Sequence, residues 1–282
     1  MSSAAYASAA PLTIYTVNYP LQYFAQRIAG ENAVVVFPAP ADVDPAYWRP
    51  TPEQVNAYQR ADLILLNGAG YARWVNTVTL SQLRMVNTSK GFTKDYIAIT
   101  DAVSHSHGPG RKHAHGATAF TTWLDFRLAI EQAEAIQEAL AKANPEWKTF
   151  FARNFASLQQ DMNELDRRML AVAQRLDGAP IIFSHPVYQY MERRYRLNGQ
   201  SLHWEPNEAV SADQWRTLAH ILTRHPARWM VWEDAPLPAT SKQLNEMGIA
   251  VIVFHPAANR SKTDFMTAMR ENVQAFERMT ER

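Results

Sequence analysis

The chain has 282 residues, 47% of them hydrophobic and 20% charged, with a formal net charge of +1. That is enough apolar material for one large or two medium domains with an ordered core, and without a basic block it offers no electrostatic footprint for nucleic acid. No apolar run reaches the roughly 20 residues that cross a bilayer as a helix. The absence of cysteine excludes disulfides, thiolate metal sites and cysteine nucleophiles, and it suits an oxidising compartment.

The opening "SSAAYASAAPL" has the small-x-small spacing of an export-signal cleavage site, so residues 1–11 are read as the remnant of a removed signal. From there strands and helices alternate. "LTIYTVN" (12–18), "NAVVVFPAP" (32–40), "DLILLNGAG" (62–70) and "DYIAIT" (95–100) read as strands. "PLQYFAQRIAG" (20–30) reads as a helix stopped at Gly30, and "TPEQVNAYQRA" (51–61) as one capped by Thr51 ahead of Pro52 and Glu53. This alternation predicts a mainly parallel sheet with helices on both faces. Residues 101–122, with four of the nine histidines plus Gly and Pro, break the pattern as a loop. Helical sequence follows from Trp123, broken at Asn144-Pro145. The second piece, 145–176, would be about 48 Å long at 1.5 Å per residue. Its apolar positions show no sustained heptad, so it is expected to tie two lobes together rather than to form a coiled coil. Alternation then resumes. "APIIFSH" (179–185), "SLHW" (201–204), "RWMVWED" (228–234) and "IAVIVFH" (249–255) read as strands. Helices are expected at 186–197, at 211–225 behind Ser211, up to Gly248, and from Lys262 to the end. The expected architecture is α/β: an N-terminal lobe over 12–144, a linking helix over 145–176, a C-terminal lobe over 177–282, and a cleft between the lobes where ligands commonly bind.

Two of the strands end alike. "PIIFSHP" delivers His185 and "VIVFHPA" delivers His255, each with proline close behind. Ligands of open α/β sheets bind beyond the carboxyl ends of strands, so the two imidazoles are candidates for the floor of one site. Backbone capping by each histidine is the alternative. The loop histidines His105, His107, His113 and His115 stand in alternating pairs and offer nitrogen ligands suited to zinc, nickel or copper. Glu205 and His203 in "SLHWEPNE" are further ligand candidates. Glu233 and Asp234, ending a strand, could hold a histidine tautomer from behind or cap the next helix. Trp48, Trp123, Trp204 and Trp232 fall near the expected cleft and are read mainly as core. His220 and His225 belong to a helix surface. There is no phosphate loop, His-Glu-x-x-His or Gly-x-Ser-x-Gly, and no enzymatic activity is expected.

Several stretches together are similar to one family. "DPAYWRPTPEQV" (44–55), "ADLILLNGAGYARW" (61–74), "HSHGPGRKHAHG" (105–116), "WLDFRLAIEQAEAI" (123–136), "SHPVYQYMERRYRL" (184–197), "VWED" (231–234) and "IAVIVFHP" (249–256) resemble the zinc- and manganese-binding solute receptors of bacterial ABC importers. The resemblance implies a periplasmic, zinc-preferring binding protein. It would be a monomer that hands its metal to the membrane permease of an importer, and it would have no nucleic-acid partner. It also implies a metal held between the lobes by three histidines and a carboxylate. In this chain those positions carry Ala46, Thr121, His185 and His255, so only His185 keeps the family's residue. Zinc sites need three or four ligands, and Ala46 can supply none. Either the other candidates complete the site, or the protein is a degenerate receptor. A degenerate receptor would bind a metal chelate or small organic molecule in an aromatic cleft, or buffer metal through its loop.

Overall fold

The computed structural model describes residues 11–99 and 118–281, with the backbone of 105–106 and 112–113. Four strands form the first sheet: β1 (Leu12–Thr16), β2 (Ala33–Val36), β3 (Leu63–Leu66) and β4 (Met85–Asn87). Their order is β2-β1-β3-β4 and every pairing is parallel. The backbones of β5 (His105–Ser106) and β6 (Lys112–His113) pair antiparallel, with His105 opposite His113. A second parallel sheet, in the order β10-β9-β7-β8, is built from β7 (Pro180–Phe183), β8 (Asn198–Ser201), β9 (Trp229–Trp232) and β10 (Ala250–Val253). Parallel neighbours need crossovers, and helices supply them. In the first half these are α1 (Tyr19–Ala29) and α2 (Pro52–Arg60), and in the second α5 (Gln189–Tyr195), α6 (Ala212–Leu222) and α7 (Pro238–Glu246). α8 (Phe265–Glu277) closes the chain.

The helix starts obey local chemistry. Thr51 and Ser211 each accept the N–H of the third helical residue, Gln54 and Gln214, whose side chains reach back to the cap N–H. Asp125 caps α3 (Phe126–Ala143) by accepting from Arg127 and Leu128. Gly30 ends α1 with φ at 55°, in the left-handed region that favours glycine.

Between the halves runs α4 (Lys148–Leu176), 29 residues or about 43 Å at 1.5 Å each. Pro145 opens a separate 3-10 turn, Pro145–Trp147, ahead of it. The expectation of no heptad needs correction. The buried positions Leu158, Met162, Leu165, Met169 and Val172 recur at alternating steps of four and three, which is a heptad seam. It faces α3, α1 and α8 of the same chain instead of a second molecule. One continuous core results, reaching from Ile14 and Phe24 through Met162 and Met169 to Phe183, Phe254 and Phe276.

Two expected strands lie elsewhere. Residues 95–100 contribute only a single bridge, Ala98 to Thr118, because Ile97 and Ile99 pack onto a small cluster around Phe92, Leu128 and Tyr190. The fourth strand of the sheet is instead "MVN", three residues too short to show a period. Likewise β8 is "NGQS", just ahead of the expected "SLHW" and almost wholly polar. As a polar edge strand it carries no apolar run to mark it. Its Gly199 has no room for a side chain, since a Cβ would meet Phe183 and Glu192.

Candidate metal site

β7 lies between β8 and β9, so the chain that leaves its carboxyl end emerges at the middle of the second sheet. Ser184 N–H donates to the Val231 carbonyl at 2.8 Å, and Trp204 N–H donates to the Ser184 carbonyl at 2.7 Å. These bonds fix the turn that presents His185, which is 6% exposed. Its Nδ1 lies 3.2 Å from Glu233 Oε1, on the residue just after β9. Its Nε2 lies 3.5 Å from Glu205 Oε1, from the segment that follows β8. The ring of His203, an exposed residue, stands edge-on to that of His185 with centroids 5.9 Å apart. Four of the candidate residues therefore meet at the carboxyl ends of three adjacent parallel strands.

The two faces of the imidazole have different uses. A carboxylate against Nδ1 is the arrangement that fixes a ligand histidine's tautomer and leaves Nε2 its lone pair. Two ligands of one tetrahedral zinc, each about 2.1 Å from the metal, are separated by about 3.4 Å. The 3.5 Å between His185 Nε2 and Glu205 Oε1 matches that separation. As they stand, no three His, Cys, Asp or Glu among the described residues form a group that could hold a metal ion. The arrangement brings two carboxylates within 3.5 Å of one imidazole, with the His203 ring beside them.

His255 is not part of this group. β7 and β10 are not neighbours, because β9 lies between them, which puts them two strand spacings or roughly 10 Å apart. Its Nδ1 accepts the N–H of Ala257 at 2.9 Å, so in the neutral ring Nε2 carries the hydrogen and neither nitrogen offers a free lone pair. Its backbone is held by Asn272: His255 N–H donates to Asn272 Oδ1 at 2.9 Å, and Asn272 Nδ2 donates to the His255 carbonyl at 2.8 Å. Asn272 was missed at the sequence level. Its signal is a lone amide in the buried stripe Met269, Val273, Phe276. Asp234 is exposed and accepts the N–H of Ala235, a local turn contact. His107 and His115 lie outside the described residues, and of His105 and His113 only the backbone is described.

At the two family positions that lack a ligand, the space between the lobes is closed by packing. Ala46 is 5% exposed and donates its N–H to Asp44 Oδ1. Thr121, also 5% exposed, donates its hydroxyl to the Val187 carbonyl of the other lobe at 2.5 Å. Around them Phe120 packs edge-on against Tyr47 and Tyr71, and Tyr71 against Trp123. Trp123 Nε1 bonds across to the Pro256 carbonyl. Burial pushes the Tyr47 hydroxyl up to about 12. Tyr71 is driven well above the ordinary range by burial, with Asp44 and Tyr47 adding to it. Neither phenol offers an anionic oxygen near neutral pH. Trp48 packs edge-on against Trp74, and Trp204 packs against Trp215 and Trp232; Trp123, Trp204 and Trp232 are core, as expected, while Trp48 is only half-buried against it.

Two parallel α/β lobes share one long helix, with ligand-capable side chains gathered at the strand ends of the second. The chain belongs to the family described as zinc-uptake complex component A, periplasmic, whose sequence pattern matches residues 14–279. Among relatives, it is 24% identical over 287 residues to the zinc-binding protein AdcA of Streptococcus pyogenes serotype M3, covering 95% of this chain but 56% of that protein. The chain thus spans about half the length of the first curated relatives it matches. It is 23% identical over 277 residues to the high-affinity zinc uptake system protein ZnuA of Bacillus subtilis, covering 94% of this chain and 86% of the other. The fold is also that of the metal-dependent lipoprotein YcdH of Bacillus subtilis, with a TM-score of 0.81 at 22% identity over 95% and 98% of the two chains.

Proposed function

We propose that this protein is an exported metal receptor that binds zinc in the periplasm and hands it to the membrane permease of an ABC importer. The observation that carries the reading is His185 set between two carboxylates, Glu233 behind Nδ1 and Glu205 beside Nε2. In this reading His185 Nε2 and Glu205 are the fixed ligands, and Glu233 holds the tautomer. His203 supplies a third ligand by turning its exposed ring, and His105, His107, His113 and His115 add weaker sites. Borderline zinc accepts this mixture of imidazole and carboxylate. The family assignment and the relatives named for zinc support the cargo, and they support a receptor rather than an enzyme.

Competition against a chromophoric chelator on metal-free protein tests it. His185→Ala should abolish the tightest zinc binding. Glu233→Gln should weaken it about 10–100-fold, the usual effect of removing such a partner. Deleting 105–115 should lower stoichiometry and leave the tightest event in place. Unchanged tight binding by His185→Ala overturns the reading. The alternative, a receptor for a metal chelate or organic molecule, gains no support at Ala46 and Thr121, where aromatic packing leaves both residues 5% exposed. Purified protein free of metal and indifferent to zinc would favour it.

A further inference from the structure

Beside β10 runs a groove of about 510 Å³, away from His185, whose lining includes four consecutive strand residues, Ala250, Val251, Ile252 and Val253. Consecutive side chains of a strand point to opposite faces, so a groove touching all four follows the strand's open hydrogen-bonding edge. β10 is the edge of its sheet. Ala250 and Phe254 donate their N–H groups inward to the carbonyls of Arg228, just before β9, and Trp232, so by alternation the N–H and C=O of Val251, Val253 and His255 point outward. At His255 both outward groups are taken by the Asn272 carboxamide, donor to acceptor and acceptor to donor. That carboxamide stands where the peptide unit of a fifth strand would stand. At Val251 and Val253 nothing replaces it among the described residues, and the groove is the space left.

The opposite wall is one face of α8 and of the 3-10 turn Arg278–Thr280 that continues it, at positions 268, 271, 272, 275 and 278. Ala268 and Ala275 leave room there. Glu271 and Arg278 border the slot, two helical turns or about 10 Å apart. That is the length of three extended residues. Asn272 sits beside His255, so α8 runs back along β10, with Glu271 toward the blocked end and Arg278 toward the open one.

We infer that this groove binds a free, extended peptide of three or four residues as a fifth strand. The peptide's main chain pairs with Val251 and Val253, its ammonium end meets Glu271, and its carboxylate meets Arg278. The direction is antiparallel to β10, set by that charge order. Main-chain pairing at an exposed edge is an established mode of peptide capture. A second copy of the chain does not fit, because Asn272 leaves only two peptide positions open, too few for a sheet-to-sheet interface.

The probe is the tetrapeptide Ala-Val-Thr-Val with free ends, titrated into the whole protein and followed by amide chemical shifts. Saturable shifts at the Val251 and Val253 amides are expected. Methylating the peptide's main-chain nitrogens should abolish them. Acetylating and amidating its ends should weaken binding at least tenfold, as should Glu271→Ala or Arg278→Ala, both exposed positions that do not endanger folding. Absence of saturable shifts at these two amides overturns the proposal. Equal binding of the N-methylated or the end-capped peptide overturns it too. The outcome does not depend on zinc, so it stands or falls apart from the receptor reading.

Discussion

His185 and His255 look alike in the sequence and differ in what surrounds them. The first stands between two carboxylates, and the second gives its Nδ1 to a backbone N–H. His255→Ala should therefore leave zinc affinity within a few-fold of the parent. It should lower stability by about 1 kcal/mol, the net worth of one hydrogen bond, read by urea denaturation. Glu192 is a second residue with a measurable consequence. Desolvation raises its carboxyl from 4.5 to about 7. A raised acid pKa means the folded protein holds a proton that the unfolded chain releases. Stability from this group is therefore full below about pH 4.5 and is lost as pH rises through 7. Glu192→Gln should stabilise the protein at pH 8 by about 1–3 kcal/mol, given 1.36 kcal/mol per unit and partial exposure, and should change little at pH 4. Thermal unfolding at the two pH values checks the sign. The strand-end histidines were legible because a short apolar run bounded by proline is a local pattern. What separates them was not, because Asn272 lies 17 residues away, and Glu233 and Glu205 reach His185 only once three strands have paired.

At the scale of elements, Asp166 lies buried beside the seam of α4 and meets three donors. Arg194 Nε and Nη2 reach it at 3.0 and 2.5 Å, and the Tyr195 hydroxyl at 3.0 Å. This cluster bolts α5 to α4. Arg194→Ala would strand a buried carboxylate and should cost about 2–4 kcal/mol, visible as a lowered midpoint in guanidinium. A paired change, Arg194→Met with Asp166→Leu, should recover most of it. The turn after β3 is as constrained. Gly68 has φ at 75°, and a Cβ there would run into Ser89, Asn87 and Tyr96. Gly68→Ala should cost roughly 2–4 kcal/mol through strain and overlap, measured by the same denaturation. Strands with apolar runs and helices with caps were readable because their signals lie within about ten residues. β4 and β8 were not, since three- and four-residue polar edges acquire their conformation from the neighbour they pair with. The heptad of α4 was blurred by residues off the seam, buried Asp166 and exposed Leu170 among them.

In the whole molecule the two sheets share one core through α4, and a belt of hydrogen bonds crosses between the lobes. Thr121 bonds to Val187, Tyr190 to Ala119, Trp123 to Pro256, Tyr19 to Ala258, and Asn259 to Pro40 and Val43. Shared burial couples unfolding, so calorimetry should show one transition whose van't Hoff and calorimetric enthalpies agree. Two resolved transitions would mean that the lobes fold independently. The same belt should restrict hinge rotation, and the small-angle scattering profile should not change on adding zinc.

That belt bears on how an empty receptor and a loaded one could be told apart. A protein that closes like a jaw announces its cargo by changing outline. One whose jaws are fastened has to announce it in another currency. With His185, Glu205 and Glu233 all on the second lobe, a captured divalent ion would leave the silhouette alone. It would cancel the local negative charge, turning a spot dominated by two carboxylates into one without net negative charge. A docking partner able to feel that cancellation would discriminate by charge where a closing jaw discriminates by form, and such discrimination would fade as added salt screened it.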